Sequence, residues 1–254
     1  MDTISKMQEQ CSKLKLMTTK GQLNDILRQA QKLSWTHTEL LQYILTAEVD
    51  DLEERSLRRR LSWAQFPYLK TLDDFKVGEL SAMSERQIKE LTEFHWVKDA
   101  YNLILLGPPG VGKTHLALGL GLEGIKQGLK VYYSTMNSLL DALKTEEFMR
   151  KSQIKVNRVR KADIVIIDDL MYFGSNAREQ AMFFHLIHDL YEQTAIILTS
   201  NRSPELWSTL TDDPATTTAI LDRLLHRSEV VKMDGDSFRM KHQMNIFVKE
   251  SVKI

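Results

Sequence analysis

The apolar positions of the chain follow two periodicities, and the change from one to the other divides it. Residues 1 to 62 contain one glycine and no proline, and their apolar positions recur at helical spacing. Leu41, Ile44, Leu45, Val49 and Leu52 fall on one stripe, and Thr36 with Glu39 forms a T-x-x-E capping box ahead of it. A small all-helical region is expected. Pro67 then interrupts the pattern, and Thr71 to Gly78 reads as a connector carrying Asp73, Asp74 and Phe75. The expected division is a helical unit over 1–70 and a second unit over 71–254.

Past the connector the pattern alternates. Ser84 to Phe94 reads as a helix with Ser84 as cap and Gln87 three residues on, and Leu103 to Leu106 as a short buried strand. His115 to Gln127 is helical and ends at Gly128. Lys130 to Ser134, Asp163 to Ile167, Ala195 to Ser200 and Ser228 to Lys232 read as strands; Ser138 to Met149, Ala177 to Tyr191 and Thr216 to Arg227 read as the helices between them. Strands alternating with helical crossovers predict an α/β fold, a parallel sheet with helices on both faces.

Composition limits the classes of partner. The 254 residues suit one sizeable core, or one domain of about 150 to 180 residues and a smaller one. Formal net charge is zero, so attraction to nucleic acid or membrane must come from local patches. Cys11 is the only cysteine, which excludes an internal disulfide and a multi-cysteine metal site and suits a reducing compartment. No signal-peptide core opens the chain, and no apolar run approaches the roughly 18 residues of a membrane span. A cytoplasmic protein without a membrane partner is expected.

The chemistry begins where the strand Leu103 to Leu106 breaks into Gly107-Pro108-Pro109-Gly110-Val111-Gly112-Lys113-Thr114. This fits G-x-x-x-x-G-K-[ST], a phosphate-binding loop: the glycines let backbone N–H groups face inward, Lys113 reaches the outer phosphates, and the Thr114 hydroxyl ligates Mg²⁺. The helix that follows, from His115, puts the anion at a helix N-terminus. Residues 107 to 115 are therefore the candidate ATP contacts. The run Ile164 to Ile167 ends in Asp168 and Asp169. Asp168 is the candidate second Mg²⁺ partner, and Asp169 the candidate base for an attacking water. If the strand ending in Thr199-Ser200-Asn201-Arg202 lies between the loop strand and the Asp168 strand, Asn201 points at the γ-phosphate and orients that water. Arg223, in Leu221-Asp222-Arg223-Leu224, is the candidate arginine supplied to the γ-phosphate across a subunit boundary.

Two basic runs stand out in the neutral chain. Arg55, Arg58, Arg59, Arg60 and Lys70 come without an acidic residue and with Trp63, Phe66 and Tyr68 among them; Arg150, Lys151, Lys155, Arg158, Arg160 and Lys161 form the second run. Such patches bind duplex DNA through phosphates, without reading sequence. No helix-turn-helix or zinc signature accompanies them.

These signals in this order resemble the AAA+ ATPases, and among them the IstB-like and DnaC-like group. The resemblance is carried by Leu105 to Ala117, Ile166 to Leu170, Thr199 to Asn201 and Leu221 to Leu224. It is extended by the Leu-Arg-Arg-Arg-Leu run, Phe66-Pro67, Lys70 to Phe75 and Ser237-Phe238-Arg239. It implies a three-layer AAA+ core with a Walker A at 107 to 114, a Walker B ending at Asp168 and Asp169, a sensor Asn201 and an arginine finger Arg223. It also implies ATP sites between subunits of a homo-oligomer, and a DNA-bound ATPase that helps a transposase move an insertion sequence. A replicative helicase loader is the second reading, and a monomeric small-molecule kinase on the same loop the third. The sequence departs from the group in having Asp169 where most members have Glu, which implies slow or partner-dependent hydrolysis. About twenty residues follow the last strand, too few for a helical lid, so Arg239 is not assigned as a second sensor.

Overall fold

The computed structural model describes residues 2–74, 83–171, 176–207 and 213–234. The chain divides into two compact units, Met1–Arg59 and Arg60–Ile254. The first contains α1 (Thr3–Leu14), α2 (Met17–Lys32) and most of α3 (His37–Ala64). Leu23 and Ile26 of α2 are its buried apolar anchors. The α2 N-terminus has no side-chain cap of its own; instead the buried Glu48 of α3 accepts from the Thr19 backbone N–H at 2.6 Å. The expected box at Thr36 and Glu39 forms in both directions. The stripe Leu41, Leu45, Val49 and Leu52 is exposed, and Ile44 half-buried.

The second unit begins within α3, upstream of the expected boundary near residue 70, because the end of that helix is bound into the α/β core. Arg60 Nε donates to the Ile125 carbonyl at 2.9 Å, and the Trp63 ring meets Tyr132 edge-on at 5.9 Å. The chain then runs along α6 (Lys113–Lys126), where two glycines make room. A Cβ on Gly119 would lie 2.7 Å from the Leu72 side chain, and one on Gly121 2.8 Å from the Phe66 ring. Phe75 lies outside the described residues.

The remaining elements are α4 (Glu85–Thr92), α5 (His95–Lys98), β1 (Asn102–Leu106), β2 (Val131–Thr135), α7 (Met136–Thr145), α8 (Arg150–Arg160), β3 (Ile164–Asp168), α9 (Ala177–Leu190), β4 (Ala195–Ser200), α10 (Pro204–Trp207), α11 (Pro214–His226) and β5 (Ser228–Lys232). The strands form one sheet in the order β2-β3-β4-β1-β5, each described pair parallel. β1, β3 and β4 are buried along their whole length, because both sheet faces are covered. Ile104, Leu106, Val165, Ile167, Ile196 and Leu198 face the cluster contributed by α7, α8, α9 and α11, while α6 packs on the other side. The result is the three-layer AAA+ arrangement. Every strand expected from the sequence is present.

Helix bounds differ more. The stretch expected as Ser138 to Met149 is α7, starting two residues earlier with Thr135 as cap and stopping at Thr145. The basic run after it, read from sequence only as a charge patch, is α8, with Ser152, Val156 and Val159 as its buried face. α11 starts on Pro214, preceded by Asp213, whose side chain accepts from the N–H groups of Ala215 and Thr216.

Candidate nucleotide and metal site

The sheet order puts β4 between β1 and β3, the condition on which the role of Asn201 depended. The C-terminal ends of these three strands converge. At the end of β1, Gly107 has φ +152°, and a Cβ there would lie 2.0 Å from the Met233 carbonyl oxygen, so only glycine fits. Gly110 and Gly112 also have positive φ, 89° and 99°. Gly112 caps α6 with no side-chain bond, which leaves the first N–H groups of that helix for an anion. Val111 is buried and braces the loop, whereas Pro108 and Pro109 are exposed. Lys113 is buried, with Nζ donating to the Gly107 and Pro108 carbonyls at 2.6 and 2.8 Å and to Asn201 Oδ1 at 2.6 Å. His115 turns away from the loop, its Nε2 3.0 Å from the Thr71 carbonyl, and fastens α6 to the connector.

Asp168 ends β3 and is buried. Its Oδ1 accepts from Thr114 Oγ1 at 2.8 Å and Thr199 Oγ1 at 2.6 Å, and its Oδ2 from the Tyr133 hydroxyl at 3.0 Å. Burial first, and then the neighbouring Asp168 carboxylate, push the Tyr133 phenol well above its ordinary pKa and keep it a donor. Asp169 is exposed, in the left-handed region at φ 60°. Its N–H donates to Thr199 Oγ1 at 2.9 Å, and its Oδ1 lies 3.5 Å from Asn201 Nδ2.

The donor set fits the groups the sequence implied. A hydroxyl and a carboxylate in contact, Thr114 and Asp168, are hard oxygen ligands suited to Mg²⁺, and the loop offers glycine-cleared backbone and a buried ammonium for phosphates. Lys113, Asn201 and Asp169 form one chain of contacts across the ends of β1, β4 and β3. Sequence reasoning missed Tyr133 and the double role of Thr199. Thr199 was visible as the residue before Ser200-Asn201, whereas Tyr133 had no signal beyond its β-strand propensity.

Arg223 is not part of this cluster. It projects from α11, where its guanidinium donates to the Ala219 carbonyl at 2.9 Å and lies 4.8 Å over the Phe184 ring. α11 is tied to the opposite end of β1: Asn102 Nδ2 donates to the Leu224 carbonyl at 3.0 Å and Asn102 N to the Arg227 carbonyl at 2.7 Å. Five residues of strand, about 3.3 Å each, separate that end from the loop.

The chain belongs to the IstB-like ATP-binding protein family. The family model matches residues 9–246. Relatives of this family include an ATP-binding protein of an IS21-like insertion sequence from Bacteroides fragilis, 35% identical over 241 residues, covering 95% of this chain and 92% of the relative. Another, from insertion sequence IS5376 of Geobacillus stearothermophilus, is 32% identical over 238 residues, covering 94% and 95%. Among solved structures, AMPPCP-bound DnaA of Aquifex aeolicus is 26% identical with a TM-score of 0.51; the match covers 67% of this chain and 52% of that one. DnaA bound to AMPPCP and single-stranded DNA gives a TM-score of 0.53 at 27% identity, with coverage of 67% and 52%. The match thus spans about half of each DnaA chain. Both of the IstB-like relatives are named as ATP-binding proteins of insertion sequences.

The candidate DNA contacts fare unequally. In the first unit Arg55 pairs with Asp51 and Arg58 with Glu54, while Arg59 is exposed and makes no ion pair among the described residues. In the second unit Arg60 is bound to Ile125, and Arg158 NH1 lies 3.5 Å from the Trp63 carbonyl. Lys155 donates to Ser138 at 3.2 Å, and Arg160 bridges Glu146 at 2.5 Å and Asp189 at 3.2 Å. Arg150 and Lys151, at the start of α8, are exposed and make no ion pair among the described residues. Several charges that looked free in sequence therefore have partners from outside the basic runs. Among the described residues no helix is long and apolar enough to cross a membrane.

Proposed function

We propose that the chain is an Mg²⁺-dependent ATP hydrolase that assembles on duplex DNA as a homo-oligomer and helps a transposase move an insertion sequence. The observation that supports the reading is the contact chain Lys113–Asn201–Asp169 beside the Thr114–Asp168 pair, which brings the residues proposed for hydrolysis, the arginine excepted, to one end of the sheet.

In this reading Lys113 exchanges loop carbonyls for the outer phosphates, and the loop amides take the rest of the anion. Thr114 and Asp168 hold Mg²⁺, which when bound neutralises phosphate charge. Asn201 orients the attacking water and Asp169 accepts its proton as the oxygen bonds to the γ-phosphorus and the bond to ADP breaks. The aspartate is one methylene shorter than the glutamate of most AAA+ sites, so turnover is slow until a partner tightens the geometry. Arg223 acts on a neighbour's γ-phosphate. The exposed Arg59, Arg150 and Lys151 contact phosphates of the duplex. The names of the insertion-sequence relatives favour the transposase over a replicative helicase as the partner.

Light scattering with and without ATP and with duplex or single-stranded DNA, run beside Lys113→Ala and paired with phosphate release, tests it. The expected result is ATP-dependent assembly on duplex that K113A abolishes. A wild-type protein that stays monomeric and unbound at low salt in every condition overturns it, and turnover that answers to a metabolite instead would favour a kinase.

A further inference from the structure

The Asp168 carboxylate is held from two sides by different parts of the chain. Thr114 and Thr199 hold Oδ1 from within the nucleotide site, but Oδ2 is held by Tyr133 from β2. In the sheet register Tyr133 stands beside Ile166 and Thr135 beside Asp168, so the phenol reaches along the strand by two residues to make its bond. Its ring is fixed in turn: Phe66 meets it edge-on, centroids 6.4 Å apart at 78°. Phe66 lies against Gly121, where a Cβ would come within 2.8 Å of both the Phe66 ring and Ile166 Cδ1. The phenylalanine is therefore wedged between α6 and β2, in the segment that directly follows α3.

We infer that Tyr133 is a positioning residue for Asp168, with Phe66 fixing its ring, so that the segment after α3 sets the orientation of the carboxylate that would hold the metal. The inference rests on reading this site as an Mg·ATP site. A carboxylate held at one oxygen only can turn about its Cβ–Cγ bond, and Tyr133 removes that freedom. Partners of this kind behind a ligating group are worth about 10- to 100-fold in metal affinity or activity. Because Phe66 follows the basic end of α3, anything that displaces this segment also loosens the hold on Oδ2.

The test titrates a fluorescent ATP analogue into the full chain, first in EDTA and then at rising Mg²⁺. Wild type should bind more tightly with Mg²⁺. Tyr133→Phe should keep the metal-free affinity within about twofold while needing roughly tenfold more Mg²⁺ for half of the tightening. Phe66→Leu, which keeps every hydroxyl, should move the Mg²⁺ requirement in the same direction. The double variant should add little to Y133F, because Phe66 acts through the phenol. Coincident Mg²⁺ curves for wild type and Y133F overturn the inference while leaving the metal site standing. So does a Y133F protein whose metal-free affinity falls by the same factor, since that is a general packing effect. A wild type whose nucleotide affinity ignores Mg²⁺ overturns the metal reading and this inference with it.

Discussion

Thr199→Val removes one hydroxyl and keeps the side-chain shape, at a position 1% exposed. That hydroxyl donates to Asp168 Oδ1 at 2.6 Å and accepts from the Asp169 N–H at 2.9 Å. The first bond is to a charged group and contributes about 1.5–3 kcal/mol; stranding the Asp169 N–H costs about 1–3 kcal/mol. The two losses share one atom and are not additive, so the expected destabilisation is about 2–4 kcal/mol. For a unit of this size each kcal/mol lowers Tm by about 2–4 °C, a fall of roughly 4–16 °C. Thr199→Ser keeps the hydroxyl and loses a methyl, about 1 kcal/mol. Function should respond separately. Asp169 sits at φ 60°, a conformation that costs a non-glycine residue about 1–2 kcal/mol, and the Thr199 anchor is one of the bonds that hold it there. Without it the carboxylate leaves Asn201, so turnover should fall further than ATP affinity. Urea unfolding followed by circular dichroism, with turnover and nucleotide binding on the same preparations, reads all three quantities. A valine variant within 0.5 kcal/mol of wild type, on the order of ordinary surface substitutions, would refute this account of Thr199.

Three further outcomes follow from the structure. Arg223→Ala gives up its Ala219 bond and the Phe184 face for about 0.5–1 kcal/mol, but should lower turnover about 10³-fold or more; mixing it with K113A should restore part of the activity, and no recovery argues against action in trans. In duplex binding, Arg150→Ala or Lys151→Ala should each reduce the log–log salt slope by about 0.9, whereas Arg160→Ala, held by Glu146 and Asp189, should lower Tm and leave the slope unchanged. The Asp213 carboxyl is held below its ordinary value of 3.8, first by the Thr216 hydroxyl and then by the Thr216 and Ala215 N–H groups. Its folded-state pKa is depressed, so its contribution is present above about pH 4 and lost as pH falls through the lower folded value. Asp213→Ala should therefore melt below wild type at pH 7, and the gap should close in acid; a gap constant from pH 7 to pH 2 would contradict the capping role.

The centre of the sheet was legible because β1, β3 and β4 are buried on both faces and leave short, uninterrupted apolar runs. The phosphate loop was legible because phosphate binding constrains both residue type and spacing within eight consecutive positions. Helix α8 was not, since only Ser152, Val156 and Val159 of its eleven residues are buried and the charged majority hides the period. The pairing of Arg55 with Asp51 and of Arg58 with Glu54 was within reach of sequence, because each acid stands four residues before its base on one helix. Both acids stand just before residue 55, outside the basic run itself. Tyr133 is different in kind. Its hydroxyl finds Asp168 through the β2–β3 register, and no local pattern encodes which residue of one strand stands beside which of another.

That non-local order also keeps Arg223 away from the cluster of its own chain. β1 carries the phosphate loop at one end and, through Asn102, holds α11 at the other, so the loop and the arginine sit at opposite ends of one hydrogen-bonded strand. Asn102 is buried, and besides α11 it accepts from the Ile196 N–H at 3.0 Å, locking β1 to β4 at that end. In the proposed oligomer, each subunit's β1 would then join the loop of one ATP site to the arginine of the next. A strand bonded on both sides does not stretch, so a shift at one site would be passed to its neighbour as a rigid displacement of α11. Asn102→Ala should on this argument weaken the dependence of one site on the next before it weakens ATP binding, because it removes the side-chain bond to Leu224, one of the two from Asn102 that hold α11, while leaving the loop untouched.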